Sequence, residues 1–127
     1  VSKSKRILSV SAVCLIVIFV AKFDLSLSQG EIIGTYVNRN FDRGCGTEIS
    51  DKPDTLQLFA GNKFKSNYYG EGKYKVNEGW PQNIELSYNY EFGKAGFSAN
   101  SSSTFFESTK IMTNYDLNCY YEKLKSQ

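Results

Sequence analysis

Histidine occurs nowhere in the 127 residues. Its absence removes the usual general base, the commonest metal ligand and both the Ser-His and Cys-His nucleophile pairs. Cysteine is scarce, at three residues, and Cys14 lies inside an apolar run near the start, leaving the pair Cys45 and Cys119. If those two are bonded, no thiolate remains for nucleophilic attack or for zinc. Proline occurs twice, at Pro53 and Pro81, and its missing N–H bars Pro81 from the interior of a paired strand. There is no internal repeat and no heptad pattern. The longest apolar run, Ile7–Ala21, is shorter than the roughly 20 residues that span a bilayer as a helix.

That run follows Lys3, Lys5 and Arg6 and precedes the small-residue stretch Ser26-Leu27-Ser28. Basic flank, apolar centre and small-residue end together have the layout of a secretory signal peptide, here residues 1–28, with residues 29–127 as a single β domain. The alternatives are an uncleaved anchor stopped by Lys22, which would be the domain's one link to a membrane, and a lipid on Cys14. The lipid reading is opposed by the β-branched Val13 beside Cys14. Either way the expected address is secreted, periplasmic or cell envelope.

Without residues 1–28 the chain keeps 99 residues, with eleven basic and twelve acidic side chains. A near-neutral domain carries no global electrostatic attraction for nucleic acid, and none is expected as a partner. So few residues make a thin core, for which a covalent staple matters. A bridge between Cys45 and Cys119 is expected in an oxidising compartment, where closing a loop of this length is worth on the order of 4 kcal/mol. Two unpaired buried thiols are the alternative.

Aromatic and β-branched residues arrive in short bursts separated by Gly, Asn, Asp and Pro, which reads as consecutive antiparallel strands. The strongest is Asn83–Phe92, where Ile84, Leu86, Tyr88, Tyr90 and Phe92 alternate with polar residues, the period of a half-buried strand. Further strands are expected over Ile32–Asn38, Asp54–Phe59, Lys63–Tyr69, Lys73–Asn77, Thr104–Glu107, Lys110–Asn114 and Cys119–Leu124. No helix is required in the domain. Between the second and third of these, Gly61-Asn62 looks like a two-residue turn, but that register sets Leu58 against Lys65. A three-residue loop, Ala60-Gly61-Asn62, sets Leu58 against Phe64, Gln57 against Lys65 and Leu56 against Ser66, and the hydrophobic pattern decides for it. Turns are expected at Tyr69–Gly72 and Gly79–Gln82, and irregular stretches at Arg39–Pro53 and Gly93–Ser103. The second stretch includes an N-x-S acceptor at Asn100, meaningful in a eukaryotic host. The predicted fold class is all-β: a small antiparallel up-and-down meander of about eight strands, closing as a barrel or strongly curved sheet.

Two short sequences add a resemblance. Gly34-Thr35-Tyr36, opening the first strand, looks like the Gly-x-Trp of lipocalin-like proteins with tyrosine in place of tryptophan. Thr113-Asn114-Tyr115-Asp116, leading into Cys119-Tyr120-Tyr121, resembles that group's Thr-Asp-Tyr. The chain thus resembles the lipocalin-like small exported β-barrels, bacterial members among them, although only eleven residues follow Asp116 where lipocalins continue with further strands, a helix and an arginine. The resemblance implies an architecture and does not by itself assign a ligand.

Catalysis is not expected. Glu85 and Glu91 share a face of one predicted strand, but at ~3.3 Å per residue they stand about 20 Å apart, beyond the ~5–9.5 Å of glycoside hydrolysis. Asp42, Glu48, Asp51 and Asp54 in the long loop lack the spacing of a calcium loop and read as a solvated face paired with Arg39, Arg43 and Lys52, so no metal or other cofactor is expected. Lys63, Lys65, Lys73 and Lys75 beside Tyr69 would suit a polyanion, but lysines alternating with Phe64, Tyr74 and Val76 are also what the wet face of an edge strand looks like. The favoured function is non-catalytic binding of a small apolar or amphipathic ligand among Tyr68, Leu86, Tyr88 and Tyr90, predicted to face inward. The alternative is a structural or interaction module that meets another exported protein through loop 39–53.

Overall fold

The structure, a computed structural model, describes residues 3–22, 27–104 and 107–125. Helix α1 spans Lys3–Lys22, and its side chains are exposed from Lys3 to Val20. Among the described residues no helix is long and apolar enough to cross a membrane. After the short helix α2 (Gln29–Ile32) come eight strands: β1 (Gly34–Arg39), β2 (Thr55–Phe59), β3 (Lys63–Ser66), β4 (Gly70–Asn77), β5 (Asn83–Tyr90), β6 (Gly93–Ser102), β7 (Lys110–Asn114) and β8 (Cys119–Lys123). Each pairs antiparallel with the next, and β8 returns to β1, so the sheet closes as a barrel. Closure satisfies the backbone groups that an open edge would leave unpaired.

The period-two patterning decides what lies inside. Tyr36, Leu56, Leu58, Phe64, Tyr74, Ile84, Leu86, Ile111 and Tyr121 point inward and form one buried cluster, while the intervening Lys63, Lys65, Lys73 and Glu85 stay exposed. The β2–β3 register is Leu58 with Phe64, Gln57 with Lys65 and Leu56 with Ser66, as the three-residue loop requires. Gly72 lies opposite Phe64. A Cβ there would come within 2.7 Å of the Phe64 ring and 2.1 Å of the Ser87 carbonyl oxygen, so the wall bends closely at this point only because the residue is glycine.

Cys45 and Cys119 form a disulfide, with Cα atoms 6.0 Å apart. It ties the connection between β1 and β2 to the first residue of β8, a bond characteristic of an oxidising compartment. The barrel has two unlike ends. At one, which holds this bridge, the connection 40–54 lies over the opening, with a 3-10 turn at Phe41–Arg43 and hydrogen bonds from Asn40 Nδ2 to the Asn118 carbonyl (2.7 Å) and from Asn114 Nδ2 to the Cys45 carbonyl (2.9 Å). At the other, α2 fills the opening with Ile32, and the Tyr36 hydroxyl donates to the Ile32 carbonyl at 2.6 Å.

Four local expectations are corrected. A helical turn does form at Gln29–Ile32, because Ser28 and Glu31 make a reciprocal capping box, a sequence signature of a helix start. Leu27 and Ser28 belong to this closure: buried Gln82 accepts from the Leu27 N–H at 3.2 Å and donates to its carbonyl at 2.8 Å. Second, Gly93–Ser102 is a strand, not an irregular stretch. Glu91 and Phe92 make a two-residue turn, Gly93 takes a φ of 129°, and eight residue pairs follow between β5 and β6. Weak strand propensity in a Gly-, Ser- and Asn-rich segment is overridden by pairing and by burial of Ala99 and Ser101. The strand expected at Thr104–Glu107 is not formed at Thr104 or Glu107, and its centre, residues 105 and 106, lies outside the described residues.

The fourth correction concerns the end of β3. The strand stops at Ser66, and the turn falls at 67–69, so that Glu71 and Gly72 are paired in β4. Asp54 is the cause. Its carboxylate accepts from the Ser66 hydroxyl (2.7 Å), the Asn67 and Tyr68 N–H groups (2.9 and 3.1 Å) and the Tyr121 hydroxyl (2.6 Å). Backbone donors that would have extended the ladder are turned onto a buried side chain, and Asp54, expected in a solvated loop, is only 4% exposed.

A tyrosine cleft at the loop end of the barrel

The turn made by Asp54 reverses the expected facing of the two tyrosines that follow it. Tyr69 points in and is buried, while Tyr68 is 48% exposed on the rim. The Tyr69 hydroxyl donates to the Glu48 carbonyl at 3.0 Å and so fastens loop 40–54 over this side of the opening. From the opposite wall β5 brings Tyr88, half-buried, and Tyr90, 50% exposed because the strand has run past the rim. Phe92, one step further in the predicted alternation, is in the turn and 81% exposed.

These side chains enclose a cleft of about 380 Å³ lined by Thr47, Glu48, Tyr68, Tyr69, Tyr88, Tyr90, Ala95 and Gly96. The structure therefore brings together Tyr68, Tyr88 and Tyr90. Leu86 lies deeper, fully buried among the core residues, and does not line the cleft. Tyr69 stands at the centre of the aromatic set, 4.8 Å from Tyr68 with the rings perpendicular and 5.2 Å from Tyr88 at 53°. Such edge and tilted arrangements are the favourable ones for aromatic pairs. Ala95 lies opposite Tyr88 in the β5–β6 register, and its small side chain leaves room beside the Tyr88 ring.

The electrostatics are one-sided. Among the described residues Glu48 is the one charged side chain in the lining, and it makes no ion pair with any of them. Burial first, and the Glu48 carboxylate second, push the Tyr88 phenol above its ordinary value. Burial likewise raises Tyr69, with Tyr88 and Tyr68 next in effect. Tyr69 and Tyr88 are thus neutral phenols at physiological pH. The hydroxyls of Tyr68, Tyr88 and Tyr90 have no hydrogen-bond partner among the described residues.

The basic and acidic residues weighed above lie on other surfaces. Lys63, Lys65 and Lys73 border a larger depression of about 520 Å³ on the outer wall with Phe59 and Glu71. There Lys65 already faces Glu71 at 3.8 Å, both well exposed, and Tyr69 points to the other side of the wall, so the basic residues and the aromatic one do not form a joint surface. No group of three or more metal-ligating side chains occurs among the described residues. The two sequences that resemble lipocalin motifs lie at opposite ends of the barrel: Gly34–Tyr36 beside α2 and Thr113–Asp116 beside the bridge.

Sequence reasoning missed Tyr69, Glu48, Ala95 and Gly96. The last two were hidden by reading β6 as a loop. Tyr69 was hidden by continuing the alternation of Phe64 and Ser66 through Tyr68. The signal available was Asp54 itself, an acidic residue directly before an apolar strand. Compared with family models, curated proteins and solved structures, the chain matches none.

Proposed function

We propose that this protein is a non-catalytic binding module of the exported or cell-envelope fraction, with α1 serving as its export signal, and that it takes a small amphipathic ligand in the tyrosine cleft. The observation that carries this reading is the meeting of Tyr68, Tyr88 and Tyr90 around one opening with unengaged hydroxyls. Rigid aromatic faces supply apolar contact at low entropic cost, and the phenols supply polar ends. An amphipathic rather than a fatty ligand suits the site, because Tyr36, Phe64, Tyr74 and Tyr121 occupy the barrel interior that a long apolar chain would need. The eight-stranded up-and-down order supports the lipocalin-like reading as architecture.

Native mass spectrometry of protein purified from its own host, with chemical-shift mapping against a panel of small amphiphiles, tests the reading. A co-purified mass, or shifts centred on Tyr68, Tyr88 and Tyr90 that are lost in Tyr68→Ala, is the expected result. No retained mass and no response to any panel member would sink it. Trp80 is no reporter here, since it lies in the β4–β5 turn at the α2 end. A second reading, docking of an exported protein onto loop 39–53, is favoured by the exposed runs Asp42–Gly44 and Gly46–Glu48. Replacing 46–48 by Gly and Ser residues removes such a partner while the tyrosines remain.

A further inference from the structure

We infer that the ligand of the cleft is an organic ammonium cation: an alkyl- or trimethylammonium group, free or as part of a lipid headgroup. This rests on the binding-module reading and adds the sign of charge to it.

Four tyrosine rings at different angles line one opening about 380 Å³ in volume, within the range of small-molecule sites. The negative faces of aromatic rings attract a cation held within ~6 Å of the ring centre, and several rings together make the cage that recognises quaternary ammonium groups. Tyr68, Tyr69 and Tyr88 are packed against one another, with centroids 4.8 and 5.2 Å apart, so a cation in the cleft sits over this contiguous aromatic surface and meets more than one ring without parting them. Glu48 supplies the opposing full charge. It is unpaired among the described residues, and no lysine or arginine lines the cleft. An anionic ligand would meet an uncompensated carboxylate there. A neutral apolar ligand would leave that carboxylate without a counter-charge and gain nothing from the ring faces beyond burial.

Ring neutrality supports the same assignment. Burial and Glu48 both hold the Tyr88 proton on, so its π face at physiological pH is that of a neutral phenol. A cation brought beside Glu48 is also favoured by proximity to a charge that the fold holds in place, since Tyr69 is hydrogen-bonded to the Glu48 backbone and not to its carboxylate. The side chain is therefore free to be substituted without untying the loop.

The test is an NMR titration of the disulfide-intact protein with choline and with its neutral carbon isostere, 3,3-dimethylbutanol. Choline is expected to bind about tenfold or more tightly than the isostere, with shifts at Tyr68, Tyr88 and Tyr90. Glu48→Gln should weaken choline several-fold and leave the isostere unchanged. Tyr68→Leu should weaken choline where Tyr68→Phe, which keeps the ring face, does not. Equal binding of choline and isostere, or equal shifts from a neutral methyl glycoside, would overturn the cation while leaving a binding module. No choline binding at millimolar concentration would also overturn it, and the amphiphile panel then decides the broader reading. Phosphatidylcholine vesicles separate the sources: co-sedimentation lost in Tyr68→Leu identifies a headgroup, and choline binding without co-sedimentation identifies a free cation.

Discussion

Replacing Asp54 with alanine removes an acceptor that four donors share, and the cost follows from where those donors lie. The Ser66 and Tyr121 hydroxyls sit in residues that are 4% and 1% exposed, so neither gains a water in exchange; each buried orphan costs about 1–3 kcal/mol. The Asn67 and Tyr68 N–H groups are in an exposed turn and recover most of their loss from solvent. Against this stands relief of the carboxylate's own desolvation, which is substantial for a buried anion. The expected net destabilisation is about 3–5 kcal/mol. Asp54→Asn keeps one acceptor oxygen for the turn and offers an amide toward two hydroxyls that can rotate to accept, so it should cost only about 1–2 kcal/mol. Urea denaturation with the bridge intact measures both, provided the slopes agree. An alanine variant within about 0.5 kcal/mol of wild type would refute the hub, since only surface substitutions behave so mildly.

Two further perturbations act on other supports. Cys45→Ser should lower stability by about 2–5 kcal/mol, the usual loss when a small exported domain loses its bridge; intact mass before and after alkylation identifies the state, and a urea midpoint equal to that of the bridged protein would contradict it. Alkaline pH should destabilise through the buried phenols. Burial raises Tyr36, Tyr69 and Tyr121 in the fold, so the unfolded chain loses these protons first. Their contribution is whole below pH about 10 and declines above it by up to about 1.4 kcal/mol per pH unit for each phenol. Lys123, lowered by burial at the α2 end, acts in the opposite direction. Tyrosinate absorbance followed alongside urea midpoints checks this, and unchanged stability between pH 10 and 12 would count against buried neutral phenols.

What could be read from the sequence was what repeats along it. Alternation placed β5 and its inward residues Ile84 and Leu86 correctly, and comparison of two registers settled β2–β3 because a slip would have put Lys65 against Leu58. Cys45 and Cys119 could be paired because a closing meander makes their strands neighbours. What escaped was carried by single residues acting across the fold. Asp54 ends a strand twelve residues away, acting together with the Ser66 hydroxyl, which accepts from the Tyr68 and Tyr69 N–H groups. β6 is built largely of residues with poor strand propensity, and its stability comes from the partner strand. For the site, the alternation rule placed Tyr68 inside. The hydrogen bonds that the Asp54 and Ser66 side chains accept from the turn exchanged it with Tyr69, and that exchange set which ring is buried and which stands on the rim.

The same exchange explains why the cleft lies at the loop end rather than within the barrel. A barrel of this size must fill its interior, and tyrosines can do so only if each phenol finds a partner. Tyr36, Tyr74 and Tyr121 each have one, in the Ile32 carbonyl, the Phe59 carbonyl and Asp54. Tyr69 takes the Glu48 carbonyl, which lies in the loop. Tyr68, Tyr88 and Tyr90 stand where the interior partners have run out, with their rings against the barrel's end and their hydroxyls without a partner among the described residues. Filling the interior thus delivers aromatic faces to the rim, and tying the loop through Tyr69 sets Glu48 beside them. Packing of the core and composition of the cleft are consequences of one arrangement, centred on the carboxylate of Asp54 that fixes the turn between Tyr69 and Ser66.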